Sequence, residues 1–294
     1  MSGPILTVHA DSAGNSRVVE DQSRQNRSTA NQWSLYSTHR RALERLLVPP
    51  QHGVERICVL GAGNCNDLDL QWLLKAYAEV HLVDLDPHAL TAAVSRQRVS
   101  TTKNLFRHAP VDLTGAANEF DAWTLKPPGF SQIDSLAARL LLANPPALPG
   151  PFDAVLSSCL LTQLISPARK SLGLDHPKLP SLRLAIRDAH LLTLAKLVRP
   201  AGRAVVAIDL VSSDTFAGLQ RVAAADLPDL MAALISRRKT YPGLDPGSIT
   251  DALRSPLLRP KFGNPTFSAP WHWHLSLQRT FSVYGMTLIR APFK

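Results

Sequence analysis

Residues 56 to 70 read RICVLGAGNCNDLDL, a short apolar run that ends in a glycine turn and continues into a helical pattern. Consecutive apolar positions from residue 56 to 60 are typical of a strand that is buried on both faces of a parallel sheet. Gly61 and Gly63 allow a tight turn and a close approach of a ligand to the backbone. The stretch therefore predicts a strand, a turn and a helix over residues 56 to 78, with Asn66 and Asp67 as candidate helix caps.

The next stretch also predicts a strand followed by a helix, and an acidic residue stands at the end of the strand. VHLVDLDPHAL, residues 80 to 90, is an apolar run that ends at Asp84, and Pro87 opens a helix predicted over residues 89 to 99. An acid at the end of the second strand, about twenty residues after a glycine turn, can accept hydrogen bonds from a ribose diol. Asp84 fills that position. Asp86 is a second candidate, although Asp-Pro is also an ordinary way to enter a helix.

Further apolar runs continue the alternation of strands and helices. Strands are predicted near residues 105 to 112, 152 to 157 and 203 to 209, and helices over residues 33 to 48 and 182 to 198. Residues 271 to 277 and 280 to 289 are close enough to pair as a hairpin. We predict an α/β fold: a doubly wound, mostly parallel seven-stranded sheet with an antiparallel C-terminal hairpin, an N-terminal helical cap and an insertion before the last two strands.

The chain of 294 residues is 45% hydrophobic, which is enough to build one principal domain with additions. Residues 1 to 30 are polar and lack periodicity, so a flexible lead is predicted there, followed by the cap helix within residues 1 to 50. Residues 51 to 294 form the ligand-binding domain. A proline-rich insertion at about residues 211 to 270 interrupts that domain.

The net charge of +9 is distributed unevenly. Residues 166 to 203 carry eight Lys and Arg against two Asp and Glu, whereas residues 51 to 165 carry eight against eleven. These basic residues are spread singly, without interleaved aromatic residues, which favours a solvated face or a small acidic ligand over nucleic acid.

The three cysteines have neither disulfide nor metal-ligand spacing, which favours a reducing compartment. The first residues lack a signal-peptide pattern, and no apolar run is long enough to cross a membrane. We therefore expect a cytoplasmic protein without a membrane partner or a bound metal. The sequence does not indicate an oligomeric state.

The glycine turn departs from two common phosphate-binding motifs. The dinucleotide fingerprint places a third glycine where this chain has Asn66, and the turn lacks the Lys-Ser/Thr pair of a P-loop. Both departures argue against NAD, FAD or a P-loop nucleotide. A tight turn without any ligand is the alternative interpretation of Gly61 and Gly63.

With these residues placed, the chain resembles the class I, Rossmann-like methyltransferases that use S-adenosylmethionine (SAM). VLGAGNCNDLDL and VHLVDLDPHAL are similar to the first two motifs of that family. PFDAVLSSCLLTQL (151 to 164) is similar to its fourth strand and active-site segment, and RPAGRAVVAID (199 to 209) to its fifth strand. The resemblance covers residues 54 to 115, 151 to 210 and 271 to 290. A long segment between residues 115 and 151 and the missing third glycine depart from the family pattern.

The resemblance implies SAM as the cofactor and methyl transfer as the activity. It further implies a set of cofactor-binding positions: Gly61, Ala62 and Gly63 against the methionine part, Asp84 and Leu85 at the ribose, Asp112 and Leu113 at the adenine, and Ser157, Ser158 and Cys159 beside the methyl group. A solvated strand end is the alternative for Asp112, and a small buried residue is the alternative for Cys159.

Methyl transfer from SAM needs no universal catalytic residue, because the sulfonium already activates the methyl group and alignment can suffice. If the acceptor must lose a proton, the candidate proton acceptors are Tyr36, His39, His190 and Asp209. Each of the four could instead be an ordinary packed or capping residue. A small or acidic acceptor is expected. An RNA methyltransferase that uses the basic C-terminal third and a non-catalytic SAM- or nucleotide-binding protein are the alternatives.

Two further motifs carry weaker hypotheses. His272 and His274 alternate on a strand and share one face, so they could ligate a metal, although no third ligand is evident. Asn144 in LLLANPPA resembles part of the Asn-Pro-Pro-Tyr signature of amino methyltransferases, but the aromatic residue is missing. We interpret Asn144 as part of a loop.

Overall fold

The computed structural model describes residues 16 to 292 and contains one mixed sheet. Its strands are β1 (Arg56–Leu60), β2 (Glu79–Val83), β3 (Leu105–His108), β4 (Phe152–Ser158), β5 (Val198–Ser212), β6 (Thr266–Phe267), β7 (Trp271–His274) and β8 (Thr280–Ile289). The strand order is β3-β2-β1-β4-β5-β8-β6, and β7 also pairs with β8. Strands β1 to β5 are parallel and β8 is antiparallel to β5. The predicted doubly wound, mostly parallel sheet is confirmed.

Strands β6 and β7 share the outermost position of the sheet. Both pair antiparallel with β8, Phe267 opposite Met286 and Trp271 opposite Val283. Between β6 and β7, the Ser268 N–H donates to the Gly285 carbonyl of β8 at 2.9 Å. The contact with β8 therefore continues across the gap between the two short strands. The eight strands therefore occupy the seven positions that were predicted, and the C-terminal hairpin of β7 and β8 is confirmed.

Ten helices flank the sheet in the described residues. They are α1 (Arg17–Thr29), α2 (Ser37–Leu47), α3 (Leu70–Ala76), α4 (Pro87–Arg96), α5 (Ala117–Leu125), α6 (Phe130–Leu142), α7 (Leu161–Leu172), α8 (Leu179–Leu197), α9 (Leu227–Ser236) and α10 (Pro246–Arg254). Two apolar cores form, one around Phe120 and Leu191 and the other around Leu43 and Tyr77. Helices α5 and α6 occupy the long segment between residues 115 and 151, and α9, α10 and β6 form the insertion. Within residues 16 to 292, no helix combines the length and apolar character needed to cross a membrane.

Helix α1 lies in the segment that was predicted to be flexible. That prediction is wrong for residues 17 to 29, whereas residues 1 to 15 lie outside the described residues. The Ser16 hydroxyl caps α1 by accepting from the Val19 N–H at 3.3 Å, and Lys170 of α7 pairs with Asp21 of α1 at 2.6 Å. Polar contacts with the rest of the fold hold this helix. Hydrophobic periodicity therefore gave no signal of it.

The helix after the glycine turn begins later than predicted. Helix α3 begins at Leu70, and its N-cap is Asp69, whose carboxylate accepts from the Trp72 N–H at 2.9 Å. The prediction of Asn66 and Asp67 as caps is therefore wrong. An irregular stretch separates the turn from α3, which leaves both side chains available for other contacts.

Candidate functional site

The glycine turn follows the carboxyl end of β1. Gly61 and Gly63 have φ angles of +68° and +47°, in the left-handed region that favours glycine. A Cβ atom on Gly61 would lie 2.6 Å from the Leu160 Cδ1 atom. The Ala62 N–H donates to the Val83 carbonyl at 3.0 Å and fastens the turn to β2. The predicted tight turn is confirmed, and its backbone conformation requires the two glycines.

Asp84 lies beside this turn at the carboxyl end of β2. Its carboxylate accepts from the Gly63 N–H at 2.7 Å and from the Asp86 N–H at 2.8 Å. Asp84 is 3% exposed, and burial raises its pKa to about 6 against the effect of these hydrogen bonds. A carboxylate has lone pairs for about four donors, so Asp84 can accept further hydrogen bonds. Asp86 instead caps α4 by accepting from the His88 N–H at 3.0 Å and binds Asn26 of α1 at 3.2 Å.

A cavity, here called the first cavity, runs along the carboxyl ends of β1, β2 and β3. The predicted site residues that line it are Gly61, Asp84, Leu85, Asp112 and Leu113. Its outer wall is α1, which contributes Arg17, Val18, Asp21, Gln22 and Gln25. The fold thus gathers predicted residues from three strand ends, and it adds a wall that the sequence analysis missed.

Asp112 anchors the loop between β3 and α5. Its carboxylate accepts from the Thr114 N–H at 2.8 Å and from the Ala117 N–H at 2.9 Å. Asp112 also lines the first cavity and a neighbouring one that contains Asn144 and His190. It is therefore a half-buried, locally bonded acid and not a solvated strand end. Asn144 itself lies in the loop after α6.

Two asparagines of the turn hold α1 in place. The Nδ2 atoms of Asn64 and Asn66 donate to the hydroxyl and carbonyl oxygens of Thr29 at 3.1 and 2.6 Å. Because both asparagines are buried, their amides need such partners. A pair of asparagines in the glycine turn is the sequence signal from which a polar element covering the turn could have been predicted. Asn66, which stands where a dinucleotide site has glycine, therefore serves to attach α1.

A second cavity, here called the basic cavity, lies between α7, α8 and the strands β5, β7 and β8. The charged residues that line it include Arg169, Arg183, Asp209 and Arg279, and its aromatic residues are Tyr241, Trp273 and Phe281. Cys159 and Thr162 also line it. Gln25 and Gln163 line both the first cavity and the basic cavity, so the two adjoin.

A third, smaller cavity follows the glycine turn. It is lined by Gly61, Ala62, Gly63, Asp67 and Ser158, and it shares Gln163 with the other two cavities. Of the predicted methyl-side residues, Ser158 and Cys159 therefore lie at cavities. Asp67, which was predicted to be a helix cap, instead lies at this cavity.

A chain of hydrogen bonds runs from β7 to the glycine turn. The Trp271 Nε1–H, which can only donate, donates to the His39 Nδ1 atom at 2.9 Å. His39 therefore carries its proton on Nε2 and donates to the Ser158 hydroxyl oxygen at 3.2 Å. The Ser158 hydroxyl in turn bonds to Asp67, whose pKa is raised to about 6 by burial against this hydrogen bond.

His39 is fully buried, and its burial lowers its pKa to about 3. It lines none of the three cavities described above. A neutral imidazole with both nitrogens engaged cannot take a proton from a bound molecule. The geometry makes His39 a positioning residue that orients Ser158.

Asp209 at the carboxyl end of β5 is 3% exposed and accepts from the Thr162 hydroxyl at 2.8 Å. Burial raises its pKa to about 7, while the Thr162 hydrogen bond and the charge of Arg279 act in the opposite direction. Near neutral pH such a carboxylate can take a proton from a group bound in the basic cavity. Asp209 combines a cavity position with a suitable pKa.

The remaining candidates lie in less suitable surroundings. Tyr36 lines the third cavity, beside the glycine turn. Burial raises the pKa of its hydroxyl, which therefore keeps its proton at neutral pH. His190 lies 2.8 Å from the Ser157 hydroxyl oxygen through its Nε2 atom, and burial lowers its pKa to about 4. Ser157 is fully buried and lines none of the described cavities, and its hydroxyl is engaged by His190 of α8.

His272 and His274 are bonded within the fold. The His272 Nε2 atom lies 3.0 Å from the Leu219 carbonyl oxygen, and the His274 Nδ1 atom lies 2.9 Å from the Thr280 hydroxyl. Across residues 16 to 292, no group of three or more His, Cys, Asp or Glu residues is arranged to hold a metal ion. The two histidines tie β7 to its neighbours.

Comparison with known proteins gives distant structural similarity. No protein-family profile matches the chain, and no curated protein sequence matches it. The chain is similar to the N-methyltransferase NodS from Bradyrhizobium japonicum WM9, solved with S-adenosyl-L-homocysteine (SAH), at 13% identity and a TM-score of 0.49 over 94% of this chain and 99% of that one. It is also similar to a SAM-dependent methyltransferase from Aquifex aeolicus, at 9% identity and a TM-score of 0.46 over 92% and 98%.

The arrangement of the strands decides the fold. A parallel sheet with a glycine turn after β1, an acid after β2 and an antiparallel final strand beside β5 is what the resemblance implied. The sheet therefore has the doubly wound, mostly parallel order that the sequence predicted. In this fold the first cavity lies at the carboxyl edge of the sheet, where open α/β sheets bind their ligands.

Proposed function

We propose that the chain is a SAM-dependent methyltransferase that acts on a small acceptor. The observation that carries this proposal is the pair of adjoining cavities. The first gathers Gly61, Asp84 and Asp112 from three neighbouring strand ends, and the second holds Asp209. A cofactor cavity that opens onto a second cavity with a proton acceptor is the arrangement that a group transfer requires.

The residues of the first cavity and the turn fit the parts of SAM. Asp84 would accept hydrogen bonds from the ribose diol, with Leu85 beside it, and Leu113 would contact the adenine. The glycine turn would lie against the methionine part, and Asp67 would face its ammonium group. SAM carries a sulfonium and an ammonium charge, and positive charge near buried carboxylates favours their ionised form. Burial raises the pKa of Asp67 to about 6, and the ammonium charge of bound SAM would favour its ionised form.

A dinucleotide fits the same residues poorly. Such a ligand places its diphosphate at the N-terminus of the helix that follows the glycine turn. Here that helix begins only at Leu70, the Asp69 carboxylate caps it, and the side chain of Asn66 binds α1. The diphosphate would also lie near the carboxylate of Asp67, which would repel it.

Bound SAM would supply a methyl group that its sulfonium activates. The chain would align the acceptor in the basic cavity, with Gln163 at the junction of the cavities. Asp209 would accept the proton that the acceptor loses, and the Thr162 hydroxyl would fix the orientation of that carboxylate. Alignment and proton removal are the contributions that such a reaction requires from the protein.

Calorimetric titration with SAM, SAH, NAD and FAD tests the cofactor. SAM and SAH are expected to bind, and Asp84→Asn is expected to weaken SAM binding by roughly 10- to 100-fold, because it removes a charged hydrogen-bond acceptor while keeping the shape. Asp134→Asn, at an exposed position on α6, is the matched control and should leave the affinity unchanged. Binding of NAD without SAM would overturn the proposal. An unchanged affinity in Asp84→Asn would remove Asp84 from the ribose.

A second measurement separates an enzyme from a non-catalytic SAM-binding protein. Incubation with cell extract and SAM labelled in the methyl group is expected to label an extract component only when the chain is present. SAM binding without any such transfer would favour a binding protein.

A further inference from the structure

The basic cavity places two arginines on one wall. Arg169 comes from α7 and Arg183 from α8, and both line the cavity together with Asp209 and Tyr241. Tyr241 is within electrostatic reach of both Asp209 and Arg169, so the cavity joins a basic wall to the proton acceptor. The ring systems of Trp273 and Phe281 form part of the same lining.

The two arginines differ from the other cations of this cavity in their partners. Lys170 is paired with Asp21 at 2.6 Å, and Arg279 with Asp214 at 2.9 Å. Across the described chain, residues 16 to 292, no ion pair or side-chain hydrogen bond engages the guanidinium group of Arg169 or Arg183.

Arg183 is only half exposed, and its burial together with the charge of Arg169 lowers its pKa. Two like charges held near one another at a partly buried wall cost free energy unless an anion lies between them. Guanidinium groups bind planar carboxylates and phosphates through paired hydrogen bonds. A carboxylate or phosphate group bound at this wall would offset its charge.

We propose that Arg169 and Arg183 bind the carboxylate or phosphate group of a small aromatic acceptor, whose ring lies against the edges of Trp273 and Phe281 and whose nucleophile faces Asp209. This inference rests on the proposed methyltransferase function and adds the chemical class of the acceptor. In the transfer, the acceptor's oxygen or nitrogen forms a bond to the methyl carbon while the S–CH3 bond breaks and sulfur keeps its electron pair. The proton of the acceptor passes to an Asp209 oxygen.

Calorimetric titration with benzoate, phenyl phosphate and neutral benzamide tests this site, both with and without saturating SAH. At least one of the two anions is expected to bind saturably and more tightly than benzamide. Arg169→Gln and Arg183→Gln are each expected to weaken that binding by roughly tenfold or more, because each removes a charge-assisted hydrogen bond. Arg254→Gln, at a position on α10 whose side chain is 76% exposed, is the matched control and should change nothing.

The outcomes separate this inference from the proposed function. If SAH binds but neither anion does, or if the anions bind as weakly as benzamide, the arginine site is wrong and the methyltransferase proposal stands. Unchanged anion affinity in both arginine variants also overturns the site. If SAH fails to bind, the methyltransferase proposal fails, and the titrations without SAH still decide the arginine site. Binding of a short RNA that needs both arginines, without binding of either anion, would assign the wall to RNA and overturn the small-acceptor proposal.

Discussion

Asp209→Asn is expected to raise the free energy of unfolding at pH 8 and to leave it nearly unchanged at pH 4. Burial raises the pKa of Asp209 from 3.8 to about 7 in the folded protein. Once the carboxylate is ionised, this difference lowers the free energy of unfolding by as much as roughly 4 kcal/mol. As the pH rises above 4, Asp209 loses its proton in the unfolded chain but keeps it in the folded protein. The free energy of unfolding therefore falls progressively up to about pH 7. Asparagine keeps an acceptor for the Thr162 hydroxyl and never carries the charge.

Urea unfolding of the wild type and the variant at pH 4, 6 and 8 measures this effect. The groups that act on Asp209 are the Thr162 hydroxyl and the charge of Arg279. Asp251→Asn, at an 80% exposed position, is the control and should show no pH-dependent difference. A destabilising effect of Asp209→Asn at pH 8 would contradict the burial of an ionised carboxylate at this position. The ionised form of Asp209 lowers the free energy of unfolding, and the same ionised form is needed to accept a proton. Stability and the proposed function therefore oppose each other at this position.

His39→Ala is expected to lower the free energy of unfolding by about 3 to 5 kcal/mol at pH 7. The substitution removes a buried ring that stacks on Trp273 at 5.0 Å between centroids. It also leaves the Trp271 Nε1–H and the Ser158 hydroxyl without their partner, and unsatisfied buried polar groups add to the cost of the cavity.

The pH dependence distinguishes this structural role from that of a proton acceptor. The pKa of His39 is lowered to about 3 by burial, so the wild type loses stability as the pH falls below the ordinary value of 6.5. The alanine variant lacks this loss, and its deficit should be smaller by roughly 2 kcal/mol at pH 5 than at pH 7. His52→Ala, at an exposed position, is the control. A deficit that is as small as that of His52→Ala would contradict the hydrogen-bond chain from Trp271 to Asp67.

The parts of the fold that the sequence predicted are encoded locally. The apolar run of β1, the glycines of the turn and Asp84 at the end of β2 are each determined by a few consecutive residues, and all three were confirmed in place. Short-range patterns of this kind specify backbone conformation before any tertiary contact is known.

The parts that the sequence did not predict depend on contacts between distant residues. Helix α1 has no apolar stripe, and it is held by Asn64, Asn66 and other polar partners that lie more than thirty positions away. The basic cavity combines Arg169 and Arg183 of two helices with Tyr241 of the insertion. These residues are far apart in the sequence and meet only after the chain has folded, so no sequence periodicity indicates the cavity.

The central claim is that the cavity beside Gly61 and Asp84 binds SAM, and a crystal structure of the protein with SAH tests it most directly. Density for SAH is expected in the first cavity, with the ribose hydroxyl groups within hydrogen-bond distance of the Asp84 carboxylate and the adenine beside Leu113. The amino-acid end of SAH is expected along the turn that contains Gly63. SAH bound elsewhere, or a first cavity without density at saturating SAH, would contradict the account.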